Sequence, residues 1–214
     1  MVGDGMKALH KDFWMEIRKS KARFISIFLI VALGVAFFSG IQASSPDMRY
    51  SGDAYYEAAK LMDLKIQGTL GLTQRDVKAI SDIDGVELAE GGYSTDVMSG
   101  EDDARKVLHL EAISSNFNLL TADEGRIPEK SGEIFLDKPF AKNRGYKIGD
   151  TISVSEDGDS ELLKKTTYTV VGIGSSPLYI SFNRGNTTLG SGEVSGFGYI
   201  LPEDFDQEAF TQIY

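Results

Sequence analysis

The sequence predicts an α+β protein: one N-terminal transmembrane helix, then a two-lobed mixed α/β domain outside the membrane. Three observations predict it. An uncharged stretch from Phe24 to Pro46 reads FISIFLIVALGVAFFSGIQASSP; its apolar core, Phe24 to Ile41, is 18 residues interrupted only by Ser26, Gly34, Ser39 and Gly40. Charge divides around that stretch. Residues 1–23 hold six Lys/Arg against three acids, net +3, and the rest holds 16 against 29, net −13. Beyond the stretch, helix and strand patterns alternate over about 170 residues, enough for one sizeable core or two small ones.

Residues 1–23 form a basic leader. Met6, Leu9, Phe13, Ile17 and Phe24 recur at helical spacing on one face, and Lys7, Lys11, Arg18 and Lys21 lie largely off it. Trp14 suits the headgroup boundary, so the leader reads as an interfacial amphipathic helix on anionic lipid; a short helix packed on other protein is the alternative.

Residues 24–45 form the span. About 20 apolar residues at about 1.5 Å rise cross a hydrocarbon core of about 30 Å. Arg18, Lys19, Lys21 and Arg23 hold the preceding end in the cytoplasm, which places residues 46–214 outside the cell membrane. A cleaved signal peptide is the rival reading, with Ile41-Gln42-Ala43 as a loose cleavage site. The apolar run exceeds the usual signal core of about 7–15 residues, and a long leader precedes it. Gly34 and Gly40, with Ala32, Ala36 and Ser39, are small enough for a second helix to approach closely.

In the first lobe, about 46–122, Ser51-Gly52-Asp53 caps a helix AYYEAAKLM. Asp63–Gly68 reads as a strand, Thr73–Asp76 as a capping box opening a helix with Val77 and Ile80, and Val86 as the start of another strand. Two β-rich stretches follow, Tyr93–Met98 and Lys106–Ile113. In the latter, Val107, His109, Glu111 and Ile113 alternate with Leu108, Leu110 and Ala112. The order suggests a small α+β sandwich with helices on one face.

A loop at Asp123–Pro128 leads to the second lobe, about 123–214. Its expected elements are a strand Glu133–Asp137, a helix Lys138–Arg144 stopped by Gly145, and strands Thr151–Ser155 and Thr167–Ile173 around a bend at Asp157-Gly158-Asp159. A long glycine-rich mobile loop over 183–198 and a strand Tyr199–Leu201 follow. Thr211–Tyr214 resembles a strand just beginning, as in a chain cut short.

Little chemistry is legible. With no cysteine there is no disulfide or thiolate metal site, and two distant histidines, His10 and His109, make no zinc cluster. A lone strand histidine is more often a surface or core residue than a catalyst. There is no P-loop, and Gly172-Ile173-Gly174 lacks the third glycine of a dinucleotide site. Asp82/Asp84, Glu101-Asp102-Asp103 and Glu156–Asp159 miss calcium-loop spacing and read as solvated turns. Carboxylate pairs for glycoside hydrolysis are set by the fold, and nothing singles one out. The acidity of the outer domain argues against a nucleic-acid partner.

The ordered set of short motifs resembles a family. It runs Arg23-Phe24-Ile25-Ser26-Ile27, Ala32-Leu33-Gly34-Val35, Phe37-Phe38-Ser39-Gly40, Ser45-Pro46-Asp47-Met48, Asp53-Ala54-Tyr55-Tyr56 and Gly71-Leu72-Thr73. Gly132-Glu133-Ile134, Lys147-Ile148-Gly149-Asp150, Val170-Val171-Gly172-Ile173 and Ser176-Pro177 complete it. It is similar to the N-terminal part of an ABC transporter permease of the MacB/FtsX type, over nearly the whole chain. The resemblance implies a two-lobed periplasmic core domain after the first helix, and three further spans in a C-terminal FtsX-like unit that this chain lacks. It implies no active site and no cofactor in this chain, ATP and Mg belonging to a cytoplasmic ABC ATPase partner. It also implies a second permease protomer or paralogue, lipid around the span, and mechanotransmission or export of an unspecified substrate. The alternatives are a single-pass anchored binding or adhesion module and a surface hydrolase.

Overall fold

The structure, a computed structural model, describes residues 3–100, 105–156, 162–181 and 183–214. The acidic group Glu101-Asp102-Asp103 and the bend Asp157-Gly158-Asp159 lie outside the described residues. The chain forms two compact units, residues 1–55 and 56–214.

Two helices make the first unit. α1 is Gly3–Lys19. Ser20 breaks it from α2, Lys21–Ala58, which is 38 residues long, or about 57 Å. The Ser20 hydroxyl donates to the Glu16 carbonyl at 2.9 Å, a local bond that competes with helical pairing and bends helices. The separate helix expected from Asp53 is absent, because α2 runs through Pro46 and over Ser51-Gly52-Asp53. Proline removes one helical hydrogen bond, whereas stopping and restarting the helix would orphan several N–H and C=O groups.

The second unit begins with two elements that meet expectation in part. β1 is Ile66–Leu72, four residues beyond the predicted end at Gly68. α3, Gln74–Ser81, opens with the expected capping box: the Thr73 N–H and hydroxyl both donate to Asp76, at 2.7 and 2.8 Å. These bonds hold the Asp76 carboxyl below its usual range. No strand forms at Val86; β2 is Gly91–Gly92. β1 and β2 flank β10, Phe210–Ile213, in a three-stranded antiparallel sheet.

The remaining strands are β3 Ser94–Ser99, β4 Lys106–Ala112, β5 Thr121–Gly125, β6 Glu133–Asp137, β7 Thr151–Ser155, β8 Thr167–Ser175 and β9 Val194–Ile200. Their order is β5-β8-β6-β9-β4-β3-β7, and β7 also pairs with β8. Six strands therefore close on themselves, with β5 added along the second half of β8. In place of the expected small α+β sandwich with helices on one face there is a closed sheet, and closure leaves fewer unpaired edges. β3 and β4 come from before residue 123 and β5–β9 largely from after it, so the sheets do not divide at the lobe boundary expected near 122.

Strand alternation sorts the apolar side chains. Val97, Leu108, Leu110, Ile134, Leu136, Ile152, Tyr168, Val170 and Ile200 form one buried cluster. Phe135, Phe197 and Tyr199 form a second on the other face, with Ile113, Leu120, Ile127 and Tyr179 against it. Each fully buried aliphatic side chain contributes about 1.5–3 kcal/mol. α4, Lys138–Arg144, adds Phe140 and Ala141 to the first cluster and ends on left-handed Gly145, as expected.

Two loop expectations fail. Asp123–Gly125 is strand, pairing with β8. Residues 194–198 also belong to a strand, and their glycines serve packing rather than mobility: a Cβ at Gly196 would stand 2.5 Å from Phe140.

Candidate functional site

α1 and α2 carry the residues singled out for membrane contact. Trp14 is 62 % exposed, and α2 buries none of its side chains within the chain. By length and composition α2 can cross a membrane. Gly34 and Gly40 have open space where a Cβ would be. At about 100° per residue they lie about 120° apart, on different faces. Ala32, Ala36 and Gly40, spaced by four, share one face. Of the two predicted packing glycines, Gly40 therefore lies on this small-residue face and Gly34 on another.

A second group of residues was missed by reading β4 as an isolated strand. Antiparallel pairing sets Asp96 of β3 directly across from His109 of β4, and Nδ1 of His109 lies 2.6 Å from Oδ1 of Asp96. Nε2 of His109 is 3.5 Å from Oε1 of Glu111, two residues along the same face. Lys65, just before β1, places Nζ 3.7 Å from that same oxygen, and the Tyr179 hydroxyl donates to it at 3.4 Å. The signal available in the sequence was the alternation His109-x-Glu111; its partner Asp96 becomes visible only through strand register.

Burial pulls the His109 pKa down, but hydrogen bonds and charge from Asp96 and Glu111 outweigh it and hold it at about 9. Burial raises Glu111, yet the bond to His109 and the charges of His109 and Lys65 keep it below its usual range. Asp96 is likewise lowered, its desolvation outweighed by bonds from His109 and Thr187. The four groups are two acids and two bases, with Glu111 buried, Asp96 and His109 half-buried and Lys65 exposed.

Glu111 also lines a cavity of about 270 Å³ with Phe117, Asn118, Leu120, Ile127 and Tyr199. Among the described residues, Glu111 Oε2 and Asn118 Nδ2 are buried without a hydrogen-bond partner. The Tyr199 hydroxyl lies 2.8 Å from Ser176 Oγ, and either of the two can donate; its hydrogen bond also favours the Glu111 carboxylate. A more open depression of about 560 Å³ adjoins the cavity at Phe117 and Tyr214 and includes Lys60, Leu64, Ile66 and Leu88.

The glycine-rich segment is fastened by Arg184. Its Nε and Nη2 each donate to Asp137 at 3.0 Å, and Nη1 donates to the carbonyls of Tyr179, at 2.7 Å, and Ser181. Its guanidinium lies over the Phe197 ring, 5.5 Å from the centroid. Such a fork holds a buried carboxylate by two parallel bonds. Among the described residues no group of three or more His, Asp or Glu is placed to hold a metal.

An apolar helix of spanning length followed by a mixed, largely closed β domain defines the class, an α/β domain behind a long apolar helix. The chain belongs to the MacB-like periplasmic core domain family, whose model matches residues 24–212, and this is the MacB/FtsX type that the sequence resembles. Two solved structures are similar. The extracellular domain of the noncanonic ABC-type transporter YknZ from Gram-positive bacteria is 12 % identical, TM-score 0.44, over 68 % of this chain and 73 % of that one. The periplasmic region of MacB from Actinobacillus actinomycetemcomitans is 14 % identical, TM-score 0.41, over 69 % of this chain and 64 % of that one. No curated protein matches.

Proposed function

We propose that this chain is the N-terminal part of an ABC transporter permease subunit that couples cytoplasmic ATP hydrolysis to movement of its outer domain, for export or mechanotransmission. The family match over 24–212 carries this reading. The basic leader supports a cytoplasmic N-terminus and an extracytoplasmic position for the β-rich unit, through the positive-inside rule. A 38-residue helix supports coupling. Its length exceeds a bilayer core by about 27 Å, so a displacement at one end need not dissipate inside the membrane. In this reading ATP and Mg sit on a separate ATPase, a second permease copy or paralogue faces the span, and further spans complete a multi-pass protein.

The test is purification of the full-length membrane protein from its host, with mass spectrometry of its partners and an ATPase assay. Recovery of a P-loop ATPase whose turnover depends on this protein is the expected result. Recovery of cell-surface proteins alone, with no ATPase, overturns the reading in favour of an anchored binding module.

A further inference from the structure

Side chains, rather than backbone bonds, hold the hairpin that leads into β9. Among the described residues, every backbone–backbone hydrogen bond of residues 183–193 stays within the hairpin or runs to Val194, which continues it. Gly190 and Gly192 take φ +53° and +82°, so the hairpin closes its own turn. Its polar grip on the sheet comes from two side chains. Arg184 donates to Asp137, at the end of β6, through two bonds of 3.0 Å. Thr187 shares a side-chain hydrogen bond with Asp96 of β3. A segment with no backbone bonds to its support opens at a lower free energy than the sheet beneath it.

The latch is also a recognition site filled from within. The Arg184 and Asp137 side chains are 10 % and 2 % exposed. The guanidinium lies over the Phe197 ring and donates to the carbonyls of Tyr179 and Ser181. Two parallel bonds to a carboxylate, an aromatic face and two carbonyls select a planar guanidinium over an ammonium. Lys138, the cation next to Asp137 in sequence, is engaged with Asp123 at 3.0 Å. Burial outweighs the bonds from Arg184 and holds the Asp137 carboxyl above its usual range, so closing the latch carries a desolvation cost that opening returns.

We propose that residues 183–193 are a strap that opens as a unit on release of Arg184, and that the recess it uncovers binds an arginine side chain of a partner polypeptide. Arg184 holds that place while the strap is closed. Opening and binding are then linked: a ligand that takes only the open recess multiplies the open-to-closed ratio by one plus the ratio of its concentration to its Kd. The proposal rests on the latch alone and does not depend on an ATPase.

Val107 can report the opening. It is 1 % exposed, and its Cγ2 lies 3.4 Å from where a Cβ on Gly190 would stand, so the strap covers it. Val97 is fully buried in the first core cluster. The native chain has no cysteine, so Val107→Cys and Val97→Cys each supply a single thiol. In the full chain in lipid nanodiscs, Val107→Cys should react with a thiol reagent at least about tenfold faster than Val97→Cys. Adding Asp137→Asn should raise the Val107→Cys rate by a further factor of about ten or more and leave Val97→Cys unchanged. N-acetyl-argininamide should accelerate Val107→Cys as the linkage requires, with its Kd taken from calorimetry on Arg184→Ala, and N-acetyl-lysinamide should act at least about tenfold more weakly. Equal rates at the two positions mean that only global unfolding uncovers Val107, and overturn the proposal. So does an equal effect of the two amides, or no acceleration by either. If Asp137→Asn does not fold, Arg184→Lys, which keeps the charge and loses the fork, should shift the rate in the same direction. The two amides acting on the native latch decide without any latch variant.

Discussion

His109 and Asp96 face each other across the β3–β4 pair, with Nδ1 and Oδ1 2.6 Å apart. The same imidazole reaches Glu111 through its other nitrogen. One side chain thus balances two carboxylates, one of which is wholly buried. The arrangement resembles a catalytic dyad in outline but acts as a charge bridge, because its carboxylates keep the ring protonated.

Stability should therefore depend on His109 on the alkaline side. Its folded pKa of about 9 lies above the 6.5 of a free imidazole. The contribution is fully present below pH 6.5 and is lost as pH rises through 9. Glu133 behaves oppositely. A bond from Arg126 leads the causes that lower it from 4.5 to about 2, so its contribution is present above 4.5 and lost as pH falls towards 2. Thermal unfolding in nanodiscs should show a plateau between about pH 4.5 and 6.5. A decline between 6.5 and 9 should follow, and His109→Gln should abolish it. Tyr179, Tyr199 and Tyr214 are raised above 10.0 by burial and act only at higher pH. A native profile flat from 6.5 to 9 would contradict the bridge.

Removing the cation should cost more than removing the pair. His109→Leu leaves Glu111 in the interior with Lys65 and the Tyr179 hydroxyl but without its imidazolium, and breaking a buried pair costs about 3–5 kcal/mol. Adding Glu111→Gln removes the stranded charge and should recover more than about 1 kcal/mol, a coupling readable in a double-mutant cycle of urea midpoints. Strict additivity of the two substitutions would show that the groups do not interact.

The helices over the leader and the apolar run, α3 with its capping box, β6 and α4 were all legible in the sequence, because periodicity and caps are local. His109 was legible only as a strand residue. Its partners depend on register with β3 and on Lys65, which is far from it in sequence, and a single strand reports neither. Gly196 and Gly198 misled for a related reason: glycine marks a loop by propensity, but in β9 it makes room for Phe140 and for Leu110 and Ile134. Helix continuity through Pro46 failed because a local breaker was weighed without the length of helix on both sides.

Two glycine substitutions should separate these roles. A Cβ at Gly174 would lie 2.0 Å from the Thr121 carbonyl oxygen of the paired strand β5. Backbone cannot give way there without parting β5 from β8, so Gly174→Ala should destabilise by about 3 kcal/mol or more. Gly34 has nothing within 4 Å, and Gly34→Ala should be neutral or stabilise α2 by up to about 1 kcal/mol. Denaturant midpoints of the two variants are the check. Equal effects would mean that β5 is not held in the register described.

The orientation of the protein should follow the charges around the start of α2. Arg18, Lys19, Lys21 and Arg23 adjoin the apolar run, while Phe24–Ile41 carries no charge that would fix its direction. Each cation close to an anionic cytoplasmic surface is worth about 1 kcal/mol, and translocating all four opposes the positive-inside bias. Replacing the four by Glu, in a chain bearing a single cysteine at exposed Leu70, should lower the fraction labelled by an impermeant thiol reagent from outside intact cells. The native leader should give nearly complete labelling. The native sequence has no cysteine, so background labelling from this chain is nil. If both leaders label equally, the leader does not set orientation. If Leu70→Cys with the native leader is shielded from outside and labels only after lysis, the β-rich unit is cytoplasmic and the permease reading fails with it.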